Sequence, residues 1–166
     1  MNNQVDCRHR SSKRYTLLTG ATGLVGRYLM RDLLLKGHKL AVIVRPTKQQ
    51  MVRERIEGIL QMWEGTLGHR LPRPVLLTGD VTKANLGLSS QQLNWSEKFL
   101  DQVIHGAAVL KFQSASRELE PWKTNLGGTQ NVLDFSKRCN IRDFHYISTA
   151  YVCGQREATV YENELD

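Results

Sequence analysis

The chain has 166 residues, 40% of them hydrophobic and 23% charged, which is room for one ordinary domain with a buried core and excludes both a second full domain and wholesale disorder. Lys and Arg number 23 against 16 Asp and Glu, a net charge of +7 that suits nucleic acid, an anionic membrane or a phosphate-bearing small molecule. No basic stripe interleaved with aromatics and no apolar run near the ~18 residues of a membrane span is present, so neither nucleic acid nor a transmembrane or secretory segment is expected.

Residues 1–14 read as a loose leader, with Arg8, Arg10, Lys13 and Arg14 facing one Asp6. A first strand follows at Tyr15–Thr19 and runs into Thr19-Gly20-Ala21-Thr22-Gly23-Leu24-Val25-Gly26. Helical spacing of Leu24, Tyr28, Leu29, Leu33 and Leu35 predicts a helix with those residues inward, stopped by Gly37. The second strand is Leu40–Val44. Met51, Ile56, Ile59, Leu60 and Trp63 predict a second helix ending near Gly65. The third strand, Val75–Thr78, is followed by a long loop and then by a fourth strand, Gln102–His105. Trp122–Cys139 reads as a third helix, opened by Pro121, with Leu126, Val132, Leu133 and Phe135 inward. Phe144–Ser148 is the fifth strand. The strands are apolar without a polar alternate, as strands covered on both faces are. The alternation predicts an α/β fold, a doubly wound parallel sheet in the order 3-2-1-4-5 with the glycine turn at its carboxyl edge.

A strand-to-helix turn rich in glycine lets a backbone approach a pyrophosphate, which then rests on the free amides at the helix start. Gly20, Thr22, Gly23, Leu24, Val25 and Gly26 are the candidates here, with Gly26 also letting the helix lie close to the sheet. The G-x-x-G-x-x-G spacing, set in Thr-Gly-Ala-Thr-Gly, resembles the extended short-chain dehydrogenase/reductase superfamily, whose Rossmann-type domain binds a nicotinamide dinucleotide. At the end of the second strand an NAD-preferring site carries an acid for the ribose hydroxyls. Arg45 stands there instead and suits a 2′-phosphate, so NADP(H) is the expected cofactor. Arg53 or Arg55 supplies a possible second contact.

Four more segments resemble the branch of that superfamily that holds thioester reductases, carboxylic acid reductases and fatty acyl reductases. They are Leu77-Thr78-Gly79-Asp80-Val81, Val103-Ile104-His105-Gly106-Ala107-Ala108, Asn125-Leu126-Gly127-Gly128-Thr129 and His145-Tyr146-Ile147-Ser148-Thr149-Ala150-Tyr151-Val152. The resemblance implies adenine contacts for Asp80 and Val81, and close passage of ribose and phosphates at Ala107 and Ala108. It implies an ordering role for Asn125, a cofactor contact at Ser148, and Thr149 as the hydroxyl that binds the substrate carbonyl. It further implies reduction of a small-molecule or carrier-bound acyl group with NADPH. His105 is assigned no proton chemistry.

That superfamily takes its proton from a Tyr with a Lys four residues later. None of the five tyrosines here has one, and the family pattern would place the pair beyond Asp166. Residues 15–166 are therefore expected to be the cofactor half of a larger reductase, inactive alone. A noncatalytic dinucleotide-binding module and a piece of a sugar-nucleotide epimerase or dehydratase are the alternatives. Cys7, Cys139 and Cys153 lack any C-x-x-C or zinc-like spacing and read as reduced thiols of a cytoplasmic protein without a metal.

Overall fold

The computed structural model describes residues 15–111, 116, 118–149, 153–154 and 156–164. The predicted leader lies outside them. Five strands, β1 (Tyr15–Thr19), β2 (Lys39–Val44), β3 (Val75–Thr78), β4 (Leu100–His105) and β5 (Asp143–Tyr146), form one sheet in the order 3-2-1-4-5. Each adjacent pair is parallel. The predicted topology is the observed one.

Helices α1 (Leu24–Leu35), α2 (Val52–Leu67), α3 (Ser90–Phe99) and α4 (Thr129–Arg138) cover the sheet. Because strand side chains alternate between faces, Leu18, Leu40, Val42 and Val44 pack with Met30 and Leu34 of α1 and with Ile56, Leu60 and Trp63 of α2. Leu17, Ala41, Ile43, Leu77 and Val103 face the other way, onto Leu93 of α3 and Val132 and Phe135 of α4. Each fully buried Leu or Phe in these two layers contributes roughly 1.5–3 kcal/mol.

Four expectations need correction. The stretch between the third and fourth strands holds a 3-10 turn at Ala84–Gly87 and the helix α3, in place of the expected loop. α3 buries only Leu93 and Ser96, too thin an apolar stripe for periodicity to register. On α1 the inward row is Gly26, Met30 and Leu34, while Leu24, Tyr28 and Leu35 are exposed and Leu29 and Leu33 half-buried. The contact row is set by Gly26, whose missing side chain brings the helix backbone onto the turn.

The predicted third helix is in two parts, a π-helical stretch at Lys123–Gly128 and then α4. The wider π turn rotates Leu126 outward and Thr124 and Gly128 inward, and Leu133 is also exposed. Finally, β5 ends at Tyr146 and not at Ser148, and is largely exposed, as the edge strand of the sheet. No helix among the described residues is long and apolar enough to cross a membrane.

Candidate functional site

Parallel strands deliver their carboxyl ends to one edge of the sheet, and an open cleft of about 220 Å³ lies there, between β1, β2, β3 and β4. Its lining includes Gly20, Thr22, Gly23, Arg45, Arg55, Asp80, Val81, Ala107 and Ala108, nine of the residues singled out from sequence. At that size, below the ~300–1,000 Å³ of typical ligand pockets, it suits part of a dinucleotide.

The turn after β1 is built by contact. Gly20 has φ +75°, and a Cβ there would stand 2.5 Å from the Gly106 carbonyl oxygen. A Cβ on Gly26 would stand 2.0 Å from the Gly20 carbonyl oxygen. Neither position accepts a side chain, so α1 starts directly against the end of β1. Gly23 caps α1 without a side-chain bond, and no acid occupies the first turn. The first ladder bond runs from the Arg27 amide to the Gly23 carbonyl, 3.1 Å, leaving the amides of Leu24, Val25 and Gly26 for an anion. The side chains of Leu24 and Val25 are exposed and do not line the cleft.

Two arginines stand at the end of β2. Arg55, from the first turn of α2, donates through Nη1 to the Arg45 carbonyl at 2.7 Å and through Nη2 to Thr22 Oγ1 at 3.1 Å. Its guanidinium thus bridges the glycine turn and the β2 end. Arg45 itself is largely exposed, with Nη1 3.8 Å from Asp80 Oδ2, a loose pair that an incoming phosphate can displace at small cost. Arg53 is exposed and lies outside the cleft lining.

Asp80 closes its own turn, accepting on Oδ1 from the Thr82 amide at 2.9 Å and hydroxyl at 2.8 Å. Partial burial raises its pKa, but the Thr82 bonds, then the charges of Arg45 and Lys83, outweigh burial, and its carboxyl lies below the usual range. Val81 is held by its carbonyl, which accepts from Asn131 Nδ2 at 2.9 Å.

The far wall is the segment 106–109. Asn125 does not line the cleft but pins this wall: the Val109 amide donates to Asn125 Oδ1 at 2.8 Å, and Asn125 Nδ2 donates to the Val109 carbonyl at 3.0 Å. Thr124, which sequence reasoning missed, is buried and lines the cleft. Its hydroxyl donates to Glu120 Oε1 at 2.8 Å and its amide to Oε2 at 3.2 Å. Ser148 and Thr149 are exposed beyond β5 and outside the cleft lining. They follow Ile147, whose amide donates to the His105 carbonyl at 2.9 Å, so they continue past the same sheet edge. His105, at the end of β4, is fully buried, and that burial pushes its pKa down to about 4. Tyr151 lies outside the described residues.

Glycines that a Cβ would clash with, unclaimed helix-start amides and two arginines on one cleft fit a dinucleotide, and the fold and cleft together define an NAD(P)-binding domain of the extended short-chain dehydrogenase/reductase type. The family model described as "Male sterility protein", of NAD-binding domains, matches residues 18–165, and the chain belongs to that family. It is 27% identical over 161 residues to the isonitrile lipopeptide synthase of Mycobacterium tuberculosis, covering 92% of this chain and 6% of that protein. It is 26% identical over 161 residues to the chloroplastic fatty acyl-CoA reductase 2 of Arabidopsis thaliana, covering 88% of this chain and 26% of that one. Among solved structures, the terminal R domain of the myxalamid PKS-NRPS biosynthetic pathway superposes with a TM-score of 0.73 at 30% identity, over 93% of this chain and 40% of that one. The chain thus spans well under half the length of these relatives.

Proposed function

We propose that this chain is the cofactor-binding part of an NADPH-dependent reductase that acts on an acyl thioester or other activated acyl group, small or carrier-bound. The observation that carries the cofactor choice is the end of β2, where Arg45 and Arg55 line the cleft and no acid occupies the Arg45 slot. A 2′-phosphate there meets two guanidiniums, one already oriented by Thr22, whereas an unphosphorylated ribose finds no carboxylate in that slot. The substrate class rests on kinship with a terminal R domain and with a fatty acyl-CoA reductase.

In this reading the α1 amides and the glycine turn hold the pyrophosphate, Asp80 and Val81 flank the adenine, and the 106–109 wall guides the chain of the cofactor along the sheet edge. The bound nicotinamide supplies a hydride. Thr149 donates a hydrogen bond to the acyl carbonyl, polarising it and orienting it for transfer. The proton donor of such a reaction, a Tyr-x-x-x-Lys pair, does not occur among these 166 residues, so the whole reaction is assigned to a longer protein that contains this part.

Calorimetric titration with NADP+ and NAD+ tests the cofactor assignment. NADP+ should bind at least tenfold more tightly, a difference of about 1.4 kcal/mol, and Arg45→Ala should remove most of it; equal affinity in the unmutated protein refutes the assignment. Residues 1–166 alone should show no NADPH oxidation at 340 nm with a panel of acyl thioesters and aldehydes. Turnover would mean that another group supplies the proton.

A further inference from the structure

Thr19 closes β1, His105 closes β4 and Thr129 opens α4. Far apart in sequence, they form one hydrogen-bonded chain beneath the cleft, and its proton order follows from the groups at its ends. The amides of Gly106 and Ala107 can only donate, and both reach Thr19 Oγ1, at 3.2 and 3.1 Å. Gly106 shares its proton with the Thr19 carbonyl at 3.3 Å. With the oxygen's lone pairs engaged, the Thr19 hydroxyl turns its own proton toward His105 Nδ1, 2.7 Å away. Nδ1 is then an acceptor, so the ring proton sits on Nε2 and is donated to Thr129 Oγ1 at 3.0 Å. The Thr129 hydroxyl in turn donates to the Asn125 carbonyl at 2.6 Å.

A cationic ring has no place in this order, because an Nδ1–H would meet an oxygen whose lone pairs are taken. Phe144 and Tyr146 of β5 also lie against the ring, at 6.3 and 5.5 Å between centroids. Phe144 and the two threonines bring no charge to it.

Both ends of the 106–109 wall hang on this chain. Gly106 and Ala107 are held through Thr19, and Val109 through the side chain of Asn125, whose backbone is the last acceptor. We propose that His105 is a positioning residue for dinucleotide binding: as the neutral Nε2–H tautomer it couples the glycine turn to the π-helical segment and so holds the 106–109 wall at the cleft. This rests on the dinucleotide reading of the cleft given above.

The test has two arms on the full chain. Long-range proton–nitrogen NMR correlations of the 15N-labelled protein, recorded at about pH 7.5 and about pH 5.5, should show His105 with a bare Nδ1 and a protonated Nε2 at both. An Nδ1–H tautomer or a charged ring overturns the proposal. Calorimetry with NADP+ then compares unmutated protein with His105→Phe, which keeps the bulk and removes both bonds. Its Kd should rise at least tenfold, with circular dichroism and a cooperative urea transition showing that it folds.

His105→Asn, which keeps an acceptor near the Nδ1 position, should recover part of the loss. Should the Phe variant fail to fold, Thr129→Val cuts the same chain at a half-buried position, and should raise the Kd at least threefold and release the tautomer to a mixture. Unchanged affinity and an unchanged spectrum in that variant, or unchanged affinity in a folded His105→Phe, overturn the role of His105 while leaving the cleft assignment intact. Failure of the unmutated protein to bind either NADP+ or NAD+ overturns both.

Discussion

A methyl group on Gly26 would be placed 2.0 Å from a backbone oxygen of Gly20, an atom that cannot swing aside as a flexible side chain can. Gly26→Ala must therefore lift α1 from the end of β1, costing about 1–3 kcal/mol of stability as overpacking does. It should also cost at least tenfold in NADP+ affinity, because the same displacement moves the helix-start amides. Urea unfolding and calorimetry on one preparation check both. His105 gives a pH signature of its own. Its folded pKa is near 4 against about 6.5 in an unfolded chain, so between those values the unfolded state binds more protons. The His105 contribution to stability should accordingly be full above about pH 6.5 and be lost as pH drops toward about 4. His105→Phe should flatten that segment of a Tm-against-pH curve; a wild-type curve already flat there contradicts it. Glu64, bonded first by Arg73 and then by the Leu71 amide, sits at about 2, so its contribution is lost as pH falls from about 4.5 toward about 2, mostly below the His105 window. Most of the cleft residues legible in the sequence were strand ends and the turns after them, since parallel topology brings all of these to one edge, and Arg55 reaches that edge from α2. Thr124, and the hydroxyl roles of Thr19 and Thr129, were not legible, because what each hydroxyl does is decided by partners such as His105, 86 residues from Thr19, and short polar side chains carry no periodic signal.

The same division between local and distant information holds for the elements. β1 to β4 were readable because buried parallel strands are short, apolar and bounded by Gly, Pro or charge. α3 was not, yet it carried a local mark: Ser89 three residues before Gln92. The Ser89 hydroxyl accepts from the Gln92 amide at 3.3 Å, and Gln92 Oε1 accepts from the Ser89 amide at 3.2 Å, a capping box that begins the helix despite its two buried positions. With so little apolar burial, α3 should depend on this cap. Ser89→Ala is expected to cost about 1 kcal/mol in urea unfolding and to raise amide exchange across Ser90–Phe99 before other elements; a loss below about 0.3 kcal/mol would mean that packing of Leu93 and Trp95 alone holds the helix. The π-helical stretch was illegible for a different reason. Its register departs from the 3.6-residue period on which any helical reading relies, and that period places Leu126 on the wrong side.

At the scale of the molecule, the order 3-2-1-4-5 makes β1 the central strand, paired with β2 through register partners such as Thr19 and Ile43 and with β4 through Thr19 and His105. The two pairings differ greatly in reach. Closing the longer one costs roughly 1 kcal/mol more in chain entropy, and it cannot form on a growing chain until the residues of β4 have emerged. Strands β1, β2 and β3 with α1 and α2 meanwhile have a nearly complete hydrophobic layer of their own, and they would assemble first. Until then the β4-facing side of β1, with the Thr19 carbonyl and hydroxyl that later receive Gly106 and Ala107, is an open hydrogen-bonding rim in the middle of the future sheet. Such a rim is a template for pairing with other chains. The strand that anchors the cofactor cleft is thus also a place where a nascent or partly unfolded chain is exposed to misassembly.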